Sequence, residues 1–263
     1  AHEIELMRRA AAITDSGHRR AMRQCRPGVS EYQLEAELSH EFRRLGASGH
    51  AYTPIVAGGA NACVLHYVDN DRPLVDGSLL LIDAGCELAG YAADVTRSFP
   101  VGGRFSGVQR EVYEIVLAAQ SAAIAALRPG APFIAYHQAA LRVLTQGLVD
   151  LRVLTGNVDD LIAQESYKPW YMHRTGHWLG LDVHDAGDYR FGSGDEDWTV
   201  LAPGMVLTVE PGLYFQASDA TPVHLHGIGV RIEDDVLITA DSGEAYTHAP
   251  KSIAAIEETM RHD

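Results

Sequence analysis

Four carboxylates and a set of histidines carry the chemistry of this sequence. Asp83 and Asp94 stand eleven residues apart in the apolar stretch LLLIDAGCELAGYAADVTRSF. Glu210 ends the apolar run of TVEPG, and Glu233 follows Arg231 in GVRIE. Between these pairs lie His173, His177 and His184, spaced by four and seven residues in HRTGHWLGLDVHD. Two unpaired carboxylates in a core repel one another and are costly to desolvate. A multivalent cation removes both penalties. One imidazole with four carboxylates is a hard, oxygen-rich donor set that suits Mn, Co or Zn. Four carboxylates also carry enough charge for two divalent ions, which can share a water, lower its pKa and polarise a carbonyl. That is the chemistry of amide hydrolysis. Histidines left over can donate to an oxyanion or pass a proton to the leaving nitrogen. Taken singly, an Asp in a turn is usually a cap and a His a satisfied core or surface residue. The joint pattern argues for a metal.

The elements around these residues must bring distant carboxylates together. Residues 79–82 read as a buried strand, 87–90 as a hairpin loop and 91–99 as the return strand, which would set Asp83 beside Asp94. A strand over 52–57, a loop at 58–61 and a short strand over 63–67 carrying His66 precede them. Residues 3–25 form a helix stopped by Arg26-Pro27-Gly28. Ser30 with Gln33 starts a second helix by a capping box, with Leu34, Leu38, Phe42 and Leu45 on one face. At Ser106 the order begins again. Ser106 with Gln109 repeats the box, Val112, Ile115, Val116 and Ala119 make the stripe, and Arg128-Pro129-Gly130 ends it, 102 residues after the first Arg-Pro-Gly. A helix over 132–148 and a short one over 157–164 follow. Strands are expected at 205–209, 212–215, 229–232 and 236–239, and a closing helix at 252–261. Gly176 and Gly180 make 173–185 a looping segment. Each half therefore reads helix, helix, strands. With no Pro/Gly/Ser-rich linker between them, the expectation is one α+β domain over residues 1–263 with two pseudo-symmetric halves.

Composition narrows the function classes. A formal charge of −14 over 263 residues argues against a nucleic-acid partner. Cys25, Cys63 and Cys86 make no paired framework and no CxxC, which suits a reducing, cytoplasmic setting. No apolar run reaches the length of a membrane span. The segment from Gly187 to Trp198 reads as a solvated surface loop.

The same residues carry a family resemblance. HRTGHWLGLDVHD resembles the signature of proline-specific metallopeptidases of the pita-bread fold. DAGCELAGYAADVTRSFPV, GMVLTVEPGLY and GIGVRIEDDV resemble the aminopeptidase P branch of that family. The resemblance covers residues 3–256 and implies a central curved sheet between the two halves. It implies that Asp94 and Glu233 bridge two metals, usually Mn2+, with Co2+ or Zn2+ as alternatives. Asp83 would complete one site and His177 with Glu210 the other. His66, His173 and His184 would position substrate and stabilise the tetrahedral intermediate. Arg231 would support Asp83, and Tyr214 would hydrogen-bond near the metals. The implied activity is Xaa-Pro aminopeptidase hydrolysis of short peptides with proline at the second position, by a metal-bridging hydroxide. A proline imide has no N–H, so peptidases that grip that group fit it poorly. Relatives usually carry a further N-terminal domain, which helps build oligomers, and this chain starts at the catalytic boundary. A homo-oligomer is therefore left open. The alternatives are prolidase, then methionine aminopeptidase, a metal-free hydrolase of the creatinase type, or a non-catalytic binding module of the same fold. The presence of all five ligands argues against the last two.

Overall fold

The structure, a computed structural model, describes residues 2–192, 194 and 197–261. The chain opens with α1 (His2–Gln24) and α2 (Glu31–Arg44), which pack on each other. Ser30 N donates to Gln33 Oε1 at 2.8 Å, closing the expected capping box. Leu34, Leu38 and Phe42 are buried, but Leu45 lies past the last turn and is 40% exposed, so it does not belong to that face.

The next strands are β1 (Gly49–His50), β2 (Ile55–Gly58), β3 (Leu79–Asp83), β4 (Cys86–Leu88), β5 (Tyr91–Ala92) and β6 (Thr96–Pro100). β3 pairs antiparallel with both β2 and β6, and Asp83 sits opposite Thr96. The expected strand over 63–67 is absent. Gly59–Cys63 is a 3-10 helix, followed by a turn at Val64 to Tyr67. The buried carboxylate of Glu31 explains this. It accepts from Gly58 N, Asn61 Nδ2, Tyr67 OH and Arg72 N, and so draws the segment around itself instead of leaving it to a sheet.

The return strand over 91–99 is also broken. Tyr91–Ala92 turns back to pair with β4 through a two-residue turn, with φ of 52° at Ala89 and 86° at Gly90. Both signs suit a primed hairpin turn. Residues 93–95 then cross over before β6 begins. The break depends on Gly85: a Cβ there would meet the Ala93 carbonyl oxygen at 1.7 Å. Gly85→Ala is therefore expected to destabilise the protein by about 3 kcal/mol or more. An unchanged denaturation midpoint would show that this approach is not required.

The second half repeats the plan. α3 (Gly107–Ala126) is capped by Ser106 and Gln109 and packs on α4 (Ile134–Asp150), and α5 (Val158–Ala163) follows. Then come β7 (Val206–Val209), β8 (Gly212–Phe215), β9 (Ile228–Arg231), β10 (Asp234–Ile238), β11 (Gly243–Ala245) and α6 (Ile253–Thr259). β10 pairs with β7 and β11, and β8 pairs with β9. The two halves meet where Glu233 N donates to Thr96 O at 3.0 Å and Ser98 Oγ exchanges bonds with the Arg231 backbone at 3.1 Å. Val112 and Val116 of α3 share one apolar core with Leu80, Ile82, Leu207 and Ile232. This joins the sheets of both halves and sets the carboxylates near its middle.

Residues 173–185 form no strand of their own. They run along β7, where Thr208 N donates to His177 O at 2.9 Å and Leu179 N to Val206 O at 3.2 Å. Gly176 permits that approach, since a Cβ there would lie 2.0 Å from Thr208 O. In the expected surface loop at 187–198, Arg190 bridges Trp198. Ser193, Asp195 and Glu196 of that loop lie outside the described residues.

Candidate metal centre

The sheet junction floors a cavity of about 700 Å³. Asp83 reaches it from the end of β3, Asp94 from the crossover before β6, and Glu210 from the end of β7. Glu233 enters between β9 and β10, and His177 from the segment along β7. Ligand atoms of Asp94, His177 and Glu233 lie within 4.8 Å of one another, which makes these three a candidate metal-binding group. His177 Nε2 is 3.4 Å from Asp94 Oδ2 and 3.6 Å from Glu210 Oε1. Its Nδ1 faces Trp178 O at 3.0 Å, which leaves Nε2 for an ion. Asp83 and Glu210 adjoin the group of three. Asp83 turns Oδ2 to Arg231 Nη2 at 2.6 Å and Oδ1 to the Tyr52 hydroxyl at 2.5 Å. The same hydroxyl also contacts Asp94 Oδ1.

The other expected residues line or back the cavity. Arg231 Nη1 donates to Tyr214 OH at 3.0 Å, and His173 Nε2 meets that same oxygen at 2.8 Å. The His184 ring stands edge-on to His177 with centroids 4.3 Å apart. His66, exposed and outside any strand, lines the same cavity as His184.

The electrostatics describe a site short of positive charge. Burial, then the charges of Asp94, Glu210 and Asp83, push the Glu233 carboxyl well above its usual range. Burial and then Asp83 raise Asp94. Glu210 is pushed up to about 7: burial dominates, His177 and Arg231 pull back, and Asp94 and Asp83 push further. Burial also disfavours charge on His177, yet Asp94 and Glu210 lift its imidazole to about 9. Of the four carboxyls only Asp83 is lowered, because Arg231 and Tyr52 outweigh its burial. His173 falls to about 3 through burial and the nearby Arg231 charge, so it is neutral across ordinary pH. Buried carboxylates that drive a histidine to act as their counter-ion are the donor set a divalent cation neutralises. The residues present fit such an ion.

The chain matches metallopeptidase family M24 over residues 5–240. It belongs to that family. A Haemophilus influenzae Xaa-Pro aminopeptidase is 52% identical over 260 residues, covering 98% of this chain and 60% of the relative. Pseudomonas aeruginosa aminopeptidase PepP has a TM-score of 0.96 at 53% identity, over 99% of this chain and 59% of that one. A zinc-substituted Escherichia coli aminopeptidase P, in complex with product, has a TM-score of 0.93 at 49% identity, over 98% and 58% respectively. The chain thus spans about three fifths of the length of the relatives it matches. Its fold is the pita-bread fold expected from the resemblance. No helix among the described residues is long and apolar enough to cross a membrane.

Around these candidate ligands stand residues that sequence reasoning did not single out. Thr96 Oγ1 donates to Glu233 Oε2 at 2.6 Å, and Asp94 N points at the Asp235 carboxylate at 3.2 Å. Arg97, fully buried, pairs with Asp234 at 2.6 Å and also holds the Glu233 carbonyl. The alternation Asp94, Thr96, Ser98 was a usable signal for Thr96, since residues two apart share a strand face. Tyr52 gave none, because only the fold brings it to the two aspartates. Its hydroxyl carries one proton for two carboxylates and orients both. Tyr52→Phe keeps the ring and is expected to weaken divalent-metal binding about 10- to 100-fold. Titration calorimetry with Mn2+ checks this, and unchanged affinity would remove Tyr52 from the site's support.

Proposed function

We propose that this chain is the catalytic part of a dinuclear metal-dependent aminopeptidase that releases an N-terminal residue from a following proline. The observation that carries the reading is the convergence of Asp83, Asp94, His177, Glu210 and Glu233 on one cavity, drawn from both halves of the chain. Asp94 and Glu233 would be shared by the two ions, with Asp83 serving one of them and His177 and Glu210 the other. Mn2+ is the metal proposed, and the zinc-substituted relative supports a site tolerant of Zn2+. Bound divalent ions supply Lewis acidity toward a carbonyl oxygen and toward water.

The chain's own residues do the rest. Arg231 holds Asp83 and, through Tyr214, fixes His173. His173 remains neutral and serves as a hydrogen-bonding wall. His66 and His184 face the reacting carbonyl from the open side, where they donate to a developing oxyanion and pass a proton to the leaving nitrogen. Leu65, Val68 and Val183 line the same cavity and offer the prolyl ring an apolar wall. No acceptor need await the missing imide N–H.

Cleavage of Xaa-Pro-Xaa tripeptides, Xaa-Pro dipeptides and Met-Ala peptides, before and after chelation, tests the proposal. Chelator-sensitive release of the first residue from tripeptides supports it. Cleavage of dipeptides alone would make the enzyme a prolidase. Turnover indifferent to chelation would reject the metal mechanism, and elemental analysis gives the identity and count of ions.

A further inference from the structure

We infer that Arg174, braced on Trp198 at the cavity wall, is a receptor for the free C-terminal carboxylate of short peptide substrates. The inference rests on the peptidase reading above and names the class of peptide it acts on. Arg174 follows His173 in the chain and lines the same cavity as the metal ligands. Its guanidinium carbon lies 5.3 Å from the centre of the Trp198 ring. Trp198 also carries Arg190 at 4.2 Å and is tied to it by a β-bridge. Stacking engages the face of a guanidinium and leaves its in-plane N–H groups available. Among the described residues no carboxylate pairs with Arg174. Arg231, also on the cavity wall, is already committed to Asp83, Tyr214 and Thr96.

Charge gives the cavity a direction. Its floor holds Asp83, Asp94, Glu210 and Glu233, whose charge two divalent ions would balance, and the scissile bond must reach them with the peptide's amine end foremost. Arg174 is the cation left for the other end. A planar carboxylate matches the fork of an arginine in two parallel hydrogen bonds. A zwitterionic peptide therefore lies with its amine inward and its carboxylate on Arg174. Longer chains and C-terminal amides lose that contact.

The test compares kcat/KM for Ala-Pro-Ala as free acid and as C-terminal amide, in the full-length holoenzyme. The wild type is expected to favour the acid about tenfold, the size of a charge-assisted contact that is partly solvated. Arg174→Gln is expected to remove that preference through KM, with kcat and turnover of the amide unchanged. Trp198→Leu should weaken it by freeing the guanidinium. Equal cleavage of acid and amide by the wild type would overturn the inference, as would a preference that survives in Arg174→Gln. Failure to cut either peptide would instead reject the peptidase reading, and this inference with it.

Discussion

Glu233→Ala is expected to yield a folded protein that holds no stable metal and has no measurable peptidase activity. Glu233 is buried at 1% exposure between Asp94 and Glu210, and its carboxyl is held well above the usual range by burial and by those neighbours. In the metal-free protein its charge is therefore a liability. Its loss relieves repulsion and leaves Thr96 Oγ1 without an acceptor, two opposed effects on stability of similar size. With metal the sign reverses. In the proposed centre the carboxylate is one ligand of the group Asp94, His177 and Glu233, and removing it leaves two of those three donors. The decisive measurement is a pair: thermal unfolding of the metal-free protein, and metal content after dialysis against Mn2+. Unfolding near the wild-type temperature with metal content near zero is the expected result. Full metal content with normal turnover would remove Glu233 from the centre. An unfolded metal-free variant would be answered by Glu233→Gln, which keeps the Thr96 contact and still withdraws the charge.

Much of this centre was legible because its chemistry is local in sequence. Asp83 and Glu210 each end an apolar run before a glycine, and Glu233 sits two residues from Arg231, so strand alternation alone put carboxylates near one face. The repeated capping boxes at Ser30 and Ser106 marked the two helix pairs, and both exist as read. What failed was governed by tertiary partners. The segment carrying His66 looks strand-like by composition, yet Glu31 in α2 collects its donors and coils it. The run from Tyr91 to Phe99 looks continuous, yet Ala93 packs on Gly85 and Asp94 N turns to Asp235, a residue 141 positions later. That break aims Asp94 at His177. Support from Tyr52 and Arg97 was invisible for the same reason, since each reaches its carboxylates across the fold.

His184→Ala is expected to keep its metal and lose turnover, by about 100-fold or more. The ring is exposed to the cavity and stands 4.3 Å from the His177 ring, centre to centre. It is not among the five residues proposed to hold the ions, so its removal is expected to leave the metal bound. Partial burial, with His177 and His66 close by, lowers its pKa. The imidazole is therefore neutral near pH 7 and can both donate a hydrogen bond and accept a proton. Two variants separate these abilities. The side-chain amide introduced by His184→Gln still donates but takes up no proton near neutrality, whereas the methyl group left by His184→Ala does neither. If oxyanion stabilisation is the larger part, His184→Gln recovers most of the rate and His184→Ala does not. If proton transfer to the leaving nitrogen is the larger part, both variants are slow. Activity restored by an added amine, and rising with the acidity of its ammonium form, then identifies the missing proton donor. Normal turnover in His184→Ala at full metal content would leave His184 as a wall of the cavity and assign the acid–base work to His66, its neighbour across the opening.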